Sequence, residues 1–355
     1  MKFDALTIFL NRACPRGCPQ CGISKSSRKP LSIEQWKKAL LHARDVFGTK
    51  FFLFLGTEPL LFKDGLVELI KFFADEGIYY AFYSTSPEPL FSQYRKKLVD
   101  AGLRNWSSGI DALPSQAMGW DWETQKKIRD SILGLQWMGE HGVQTHTQLT
   151  LHRQNLDHAI KILRWCQENI KGVQSTVNFI EWQKAPHFDF FSPAHEMQDL
   201  MWEGTEEERD KIRKVMGEIK MLSRVKGYYI QTPDAYLDEA LDHYTGLNRH
   251  CRGIVGPCID CDGTMRLCAY STGRLRGWSI FDLDTPAKQV MFYRKWSESL
   301  SDCSGCHWIF PYMLEGDIRI LNPSSGFHED RWDSTIEQFE QKTGVQNVKQ
   351  NDQRG

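Results

Sequence analysis

"NRACPRGCPQCGISK", residues 11–25, sets Cys14, Cys18 and Cys21 at the spacing C-x3-C-x2-C within eight residues. A closed tetrahedral zinc site or a fully ligated cluster takes four protein ligands, so three neighbouring thiols leave one position open. Three thiolates can hold three irons of a [4Fe–4S] cube and leave the fourth iron to a ligand from outside. Alternatively, a distant histidine can complete a three-thiolate zinc site. The segment before the loop bears on the choice. "ALTIFL" (5–10) reads as a short apolar strand running straight into the first cysteine, and barrel enzymes place their chemistry where strands end.

Outward from this loop, strand and helix patterns alternate. "LSIEQWKKALLHARDVFG" is an amphipathic helix with Ser32 as N-cap and Gly48 as its stop. "KFFLFLGTEP", "IYYAFYSTS", "LRNWSSGIDAL", "VQTHTQLTL" and "GVQSTVNFI" read as strands, each separated from the next by a helical segment. Such alternation implies parallel strands joined by right-handed crossovers. Six strands are too few for the closed eight-stranded barrel, so the expected fold is α/β, an open, partial (βα)6 barrel over residues 1–182. A charged helical connecting region, 183–248, follows, then a cysteine-rich module, 249–320, and a tail, 321–355.

Lys and Arg number 44 against 45 Asp and Glu, a net charge of −1. Nothing in that balance calls for nucleic acid or an anionic membrane. The N-terminus lacks the pattern of a signal peptide, and no apolar run reaches the roughly 18–20 residues of a membrane span. Ten cysteines without an export signal point to metal ligation in a reducing compartment, hence a cytoplasmic metalloprotein.

The cysteine loop after the first strand of such a barrel resembles the hallmark of the radical S-adenosylmethionine (SAM) superfamily, and the likeness spans roughly residues 3 to 182. The resemblance implies that Cys14, Cys18 and Cys21 ligate a [4Fe–4S] cluster whose open iron is chelated by SAM. It implies cleavage of SAM to a 5′-deoxyadenosyl radical that abstracts hydrogen from substrate. Gln20 departs from the family's usual aromatic residue, which implies altered adenine packing and not loss of function. "LGTEPL" (55–60) resembles the family's Gly-Gly-Glu-Pro motif with Thr57 in place of the second glycine. Gly56 would admit the methionyl amine, and Glu58 would accept a hydrogen bond from its ammonium. By the same likeness Thr85, Ser107, Asp111 and Arg153 are candidate SAM contacts, with Asn155 either a family-like polar residue or a helix cap.

"CRGIVGPCIDCDGTMRLC" (251–268) and "CSGC" (303–306) form a second cysteine set. Cys251-x11-Gly263-x4-Cys268 resembles the opening of the SPASM/twitch extension of radical SAM enzymes, in which a hairpin turning at Asp-Gly presents two cysteines. That likeness implies an auxiliary [4Fe–4S] cluster on Cys251, Cys268, Cys303 and Cys306. The competing assignment joins Cys258 and Cys261 with Cys303 and Cys306 in a zinc ribbon or cluster. Cys166 falls in an apolar helix and reads as core. Glu181, His187 and Asp189, after the sixth strand, could touch substrate or belong to a solvated loop.

The expected function is that of a radical SAM oxidoreductase served by a low-potential donor such as flavodoxin or ferredoxin. A small-molecule substrate is favoured over a peptide because only thirteen residues precede Cys14, too few for the leader-binding domain of peptide-modifying relatives. The alternatives are a peptide or protein maturase, and a non-catalytic iron–sulfur or zinc protein.

Overall fold

A computed structural model describes residues 3, 5–16, 28–55, 57–116, 122–180, 199–239, 256–268, 275 and 277–301. Six strands, β1 (Ala5–Ile8), β2 (Phe51–Phe54), β3 (Tyr79–Phe82), β4 (Asn105–Gly109), β5 (Gln144–Leu151) and β6 (Gln174–Phe179), are separated by five helices. These are α1 (Ile33–Phe47), α2 (Asp64–Glu76), α3 (Leu90–Asp100), α4 (Trp122–Glu140) and α5 (Ala159–Asn169). Ser32 caps α1 through a reciprocal box with Gln35, and Gly48 closes it at φ 65°, a left-handed conformation that glycine adopts without a Cβ penalty.

The strands pair in parallel, β1 with β2, β2 with β3, β4 with β5 and β5 with β6. The two groups meet at the end of β3, where Tyr83 bridges Ser107 and the Ser84 amide donates to the Ser107 carbonyl at 2.8 Å. Neighbours therefore follow chain order without the reversal that marks doubly wound sheets. This is the partial barrel expected from the alternation.

An open barrel leaves two strand edges whose amides and carbonyls need partners. On β6 the edge is covered by Tyr229–Thr232: Ser175 donates to the Tyr229 carbonyl and Gln231 donates to the Ser175 carbonyl, each at 2.8 Å. On β1 the edge is taken by β7 (Cys258–Ile259), which runs parallel to it with Cys258 opposite Thr7. β7 turns at Asp262-Gly263 into the antiparallel β8 (Met265–Arg266), with Gly263 at φ 84°. The cysteine hairpin is thus continuous with the barrel sheet. Downstream, Phe292 and Trp296 of the helix Pro286–Ser301 pack their rings against Phe47 and Phe3.

One face of the strands meets the helices. Phe54, Phe82 and Tyr80 stack around Phe73 of α2, Trp106 packs near Phe91 of α3, and Cys166 of α5 is fully buried, as its apolar helix implied. Among the described residues no helix is long and apolar enough to cross a membrane.

The contact of α4 with the end of β3 depends on Gly134. A Cβ there would stand 2.0 Å from Ser86 Oγ, the atom that accepts a hydrogen bond from the Trp106 indole. Gly134→Ala should lower stability by about 1–3 kcal/mol, the usual range for overpacking a tight contact. Adding Ser86→Gly should return part of that loss in urea unfolding. Wild-type stability in Gly134→Ala would contradict the packing described.

Candidate functional site

β1 delivers the chain to Asn11, which organises the base of the cysteine loop. Its side-chain amide donates to the Glu58 carbonyl at 3.0 Å, and its Oδ1 accepts from the Ala13 amide at 2.9 Å. Its own carbonyl accepts from Thr57 Oγ1 at 3.0 Å, and the Glu58 amide donates to the Ala13 carbonyl at 3.2 Å. Cys14 follows at once, half-exposed. Thr57 sits at φ 65°, the conformation a glycine would adopt most easily. Cys18, Cys21, Gln20 and Gly56 lie outside the described residues, as do Cys251, Cys303, Cys306, Glu181, His187 and Asp189.

Glu58 is fully buried at the C-terminal end of β2. One carboxylate oxygen accepts from Ser84 Oγ at 2.7 Å and the Leu60 amide at 3.1 Å; the other accepts from the Thr85 amide at 2.9 Å and Thr85 Oγ1 at 3.0 Å. A carboxylate has about four lone-pair sites, and four donors already fill them. Through these bonds its carboxylate fastens the end of β2 to the end of β3. Burial pushes its pKa up, opposed by the bonds from Ser84, Thr85 and Leu60.

The remaining candidates divide. Ser107 lies on β4 in register with His146 of β5. Asp111 is buried, with one oxygen on Lys127 Nζ at 2.8 Å and the other accepting from the Thr150 amide at 3.0 Å. Arg153 stands apart at the surface, ion-paired with Glu203, its amide donating to the Leu200 carbonyl. Asn155 makes no side-chain cap. Its amide instead donates to the Asp111 and Thr150 carbonyls at 3.0 and 2.9 Å, and its oxygen accepts from the His152 amide. Asn155 thus holds the N-cap position of the short 3-10 turn Leu156–His158 by its place in the backbone alone.

Residues 8–166 match the family model of the radical SAM superfamily. The chain carries a radical SAM domain. Solved structures agree in fold. SuiB from Streptococcus suis bound to S-adenosylmethionine superposes with a TM-score of 0.60 at 14% identity, over 85% of this chain and 68% of that one. SuiB bound to its precursor peptide SuiA gives 0.53 at 13% identity, over 74% and 59% of the two chains. Native anSMEcpe with bound AdoMet and Cp18Cys peptide gives 0.56 at 13%, over 89% and 87%.

Within the radical SAM domain, the face of β5 opposite the helices carries Gln144, His146, Gln148 and Thr150, every second residue of the largely polar stretch "QTHTQLT". His146 Nε2 meets Thr176 Oγ1 of β6 at 3.1 Å, and the Tyr83 ring stands edge-on to the imidazole. The strand reading contained these residues without singling them out. Asp260 was missed for a different reason: its partners are Arg12, Arg28 and Arg266, the first of them 248 residues away.

Two outcomes test this geometry. In Glu58→Gln an amide group must face either the Leu60 or the Thr85 N–H, so the metal-free chain should lose about 1–3 kcal/mol in urea unfolding; an unchanged midpoint would contradict the saturation of Glu58.

Burial also pushes His146 and His152 down to about 4 from an ordinary 6.5. Below pH 6.5 the unfolded chain therefore binds more protons than the native one, and stability falls as pH drops from 6.5 toward 4. At about 1.4 kcal/mol per pKa unit, each histidine contributes up to about 3 kcal/mol to that loss. His146→Gln should show a shallower fall across the same window, and an identical slope would place the imidazole in water.

Proposed function

We propose that this protein is a radical SAM enzyme that holds a [4Fe–4S] cluster on Cys14, Cys18 and Cys21 and abstracts a hydrogen atom from its substrate. The observation that carries this reading is the position of Cys14, half-exposed just past β1 on backbone tied through Asn11 to the Thr57–Glu58 turn. The donor set suits the group: three thiols come from eight residues, the first of them accessible, whereas Cys166, Cys258 and Cys261 are sealed from solvent. With SAM on its open iron, such a cluster supplies on reduction a 5′-deoxyadenosyl radical. The chain's own task is to align a substrate C–H bond and exclude water.

In this reading Gly56 lets the turn approach SAM, and Glu58 serves the site by holding Ser84 and Thr85. Thr85 and Asp111, just past β3 and β4, and Ser107, within β4, serve as SAM contacts. Arg153 reaches SAM only by leaving Glu203. Cys251, Cys268, Cys303 and Cys306 would hold a second [4Fe–4S] cluster, which would supply electron transfer or a substrate-binding position. Its support is the contrast between half-exposed Cys268 and the sealed pair Cys258 and Cys261. A peptide or protein side chain replaces the small molecule as the favoured substrate, because similar folds carry bound peptides in SuiB and anSMEcpe. An oxidative outcome, a flavodoxin or ferredoxin donor and a cytoplasmic setting complete the proposal.

Replacing Cys14, Cys18 and Cys21 together by alanine should remove roughly half of the iron and abolish formation of 5′-deoxyadenosine with dithionite, while the rest of the iron stays bound. Undiminished 5′-deoxyadenosine from the triple variant would overturn the assignment. Complete loss of iron would overturn the second cluster.

A further inference from the structure

Asp260, just past β7, is fully buried, yet three guanidinium groups converge on it. Arg12 Nε donates to one oxygen at 2.7 Å; Arg28 Nη1, at 3.1 Å, and Arg266 donate to the other. Arg12 and Arg266 are as buried as the carboxylate, whereas Arg28 is half-exposed and also reaches Asp262 at 3.4 Å. Burial alone would raise the Asp260 carboxyl, but the bond from Arg12 and the charges of Arg12 and Arg266 outweigh it and hold it below the ordinary range.

The chain positions of these partners are informative. Arg12 comes two residues before Cys14, and Arg28 follows Cys21, so the arginines bracket the whole cysteine stretch and both end on one carboxylate. The backbone repeats the pattern: Phe9 donates to the Ile259 carbonyl at 2.9 Å and Leu31 to the Cys261 carbonyl at 2.7 Å. Both flanks of the loop are therefore fastened to the hairpin. Buried Arg12 and Arg266 both bond the buried Asp260 carboxylate, and a buried charge acts over distance with little screening.

We propose that Asp260 is a positioning residue that clasps both ends of the N-terminal cysteine loop and, by balancing Arg12 and Arg266, sets the reduction potential of an iron–sulfur centre held there. The proposal rests on the cluster assigned above to Cys14, Cys18 and Cys21, and not on any ligand assignment in the hairpin. Reduction adds one negative charge to a cluster. Removing the Asp260 charge should therefore favour the reduced form, and removing the Arg12 charge should disfavour it.

The test uses the anaerobically reconstituted full-length chain, with the SAM-responsive centre followed by electron paramagnetic resonance during a redox titration. Asp260→Asn should raise its midpoint potential and Arg12→Gln should lower it, each by up to about tenfold in the reduction equilibrium, or about 59 mV for one electron. Arg12→Lys, which keeps the charge but loses the fork, should stay close to wild type. Should Asp260→Asn fail to fold, the two Arg12 variants still decide, because only Gln should move the potential. In the metal-free chain, the double-mutant cycle between Arg12→Gln and Asp260→Asn should leave a coupling of several-fold or more in the unfolding equilibrium. Potentials that do not move, or that move in the same direction in Asp260→Asn and Arg12→Gln, would overturn the electrostatic role. Additive stability effects would overturn the clasp. A wild-type chain without a SAM-responsive iron signal would sink the cluster assignment itself, with the cycle still judging the clasp.

Discussion

The buried carboxylate of Glu58 is the constraint on which the site depends. Parallel strands end independently, and nothing in a sheet ladder forces three strand ends into one constellation. Glu58 does so by accepting four hydrogen bonds from three residues on two segments, while its backbone pairs with Asn11 and Ala13 beyond β1. Desolvating a carboxylate is costly unless every lone pair is satisfied. The arrangement is therefore close to all-or-none, and a satisfied network of that kind favours one geometry for the loop that begins at Cys14.

A second buried carboxylate extends the same logic to the other side of β1. The hairpin β7–β8 closes the exposed edge of the barrel with backbone bonds, and Asp260 adds charge where the cysteine loop leaves and returns. The two cysteine-bearing segments thus share a sheet and a buried ion cluster. The remaining wall, on β4 to β6, is polar and largely uncharged, with Ser107, His146, Gln148 and Thr176.

The local features were legible because local chemistry writes them. The capping box at Ser32, the left-handed stop at Gly48 and the Asp-Gly hairpin turn each need only a few consecutive residues. The order of six parallel strands follows from alternation once crossovers are right-handed. Partners set by tertiary packing were not legible. Glu58 in its motif signals a functional residue but does not reveal that Ser84 and Thr85, 26 and 27 residues away, consume its acceptors. Asn155 has a cap-like residue type, yet its amide turns toward Asp111. The pairing of β7 with β1 sets Cys258 opposite Thr7, far apart in the chain, and no periodicity encodes such a contact.

The most direct test of the central claim is the electron paramagnetic resonance spectrum of the anaerobically reconstituted, dithionite-reduced protein, recorded before and after adding SAM. A cluster on Cys14, Cys18 and Cys21 with an open iron predicts a [4Fe–4S]+ signal whose g-values change when SAM binds. A signal indifferent to SAM, or a protein that takes up zinc and no iron, would contradict the account.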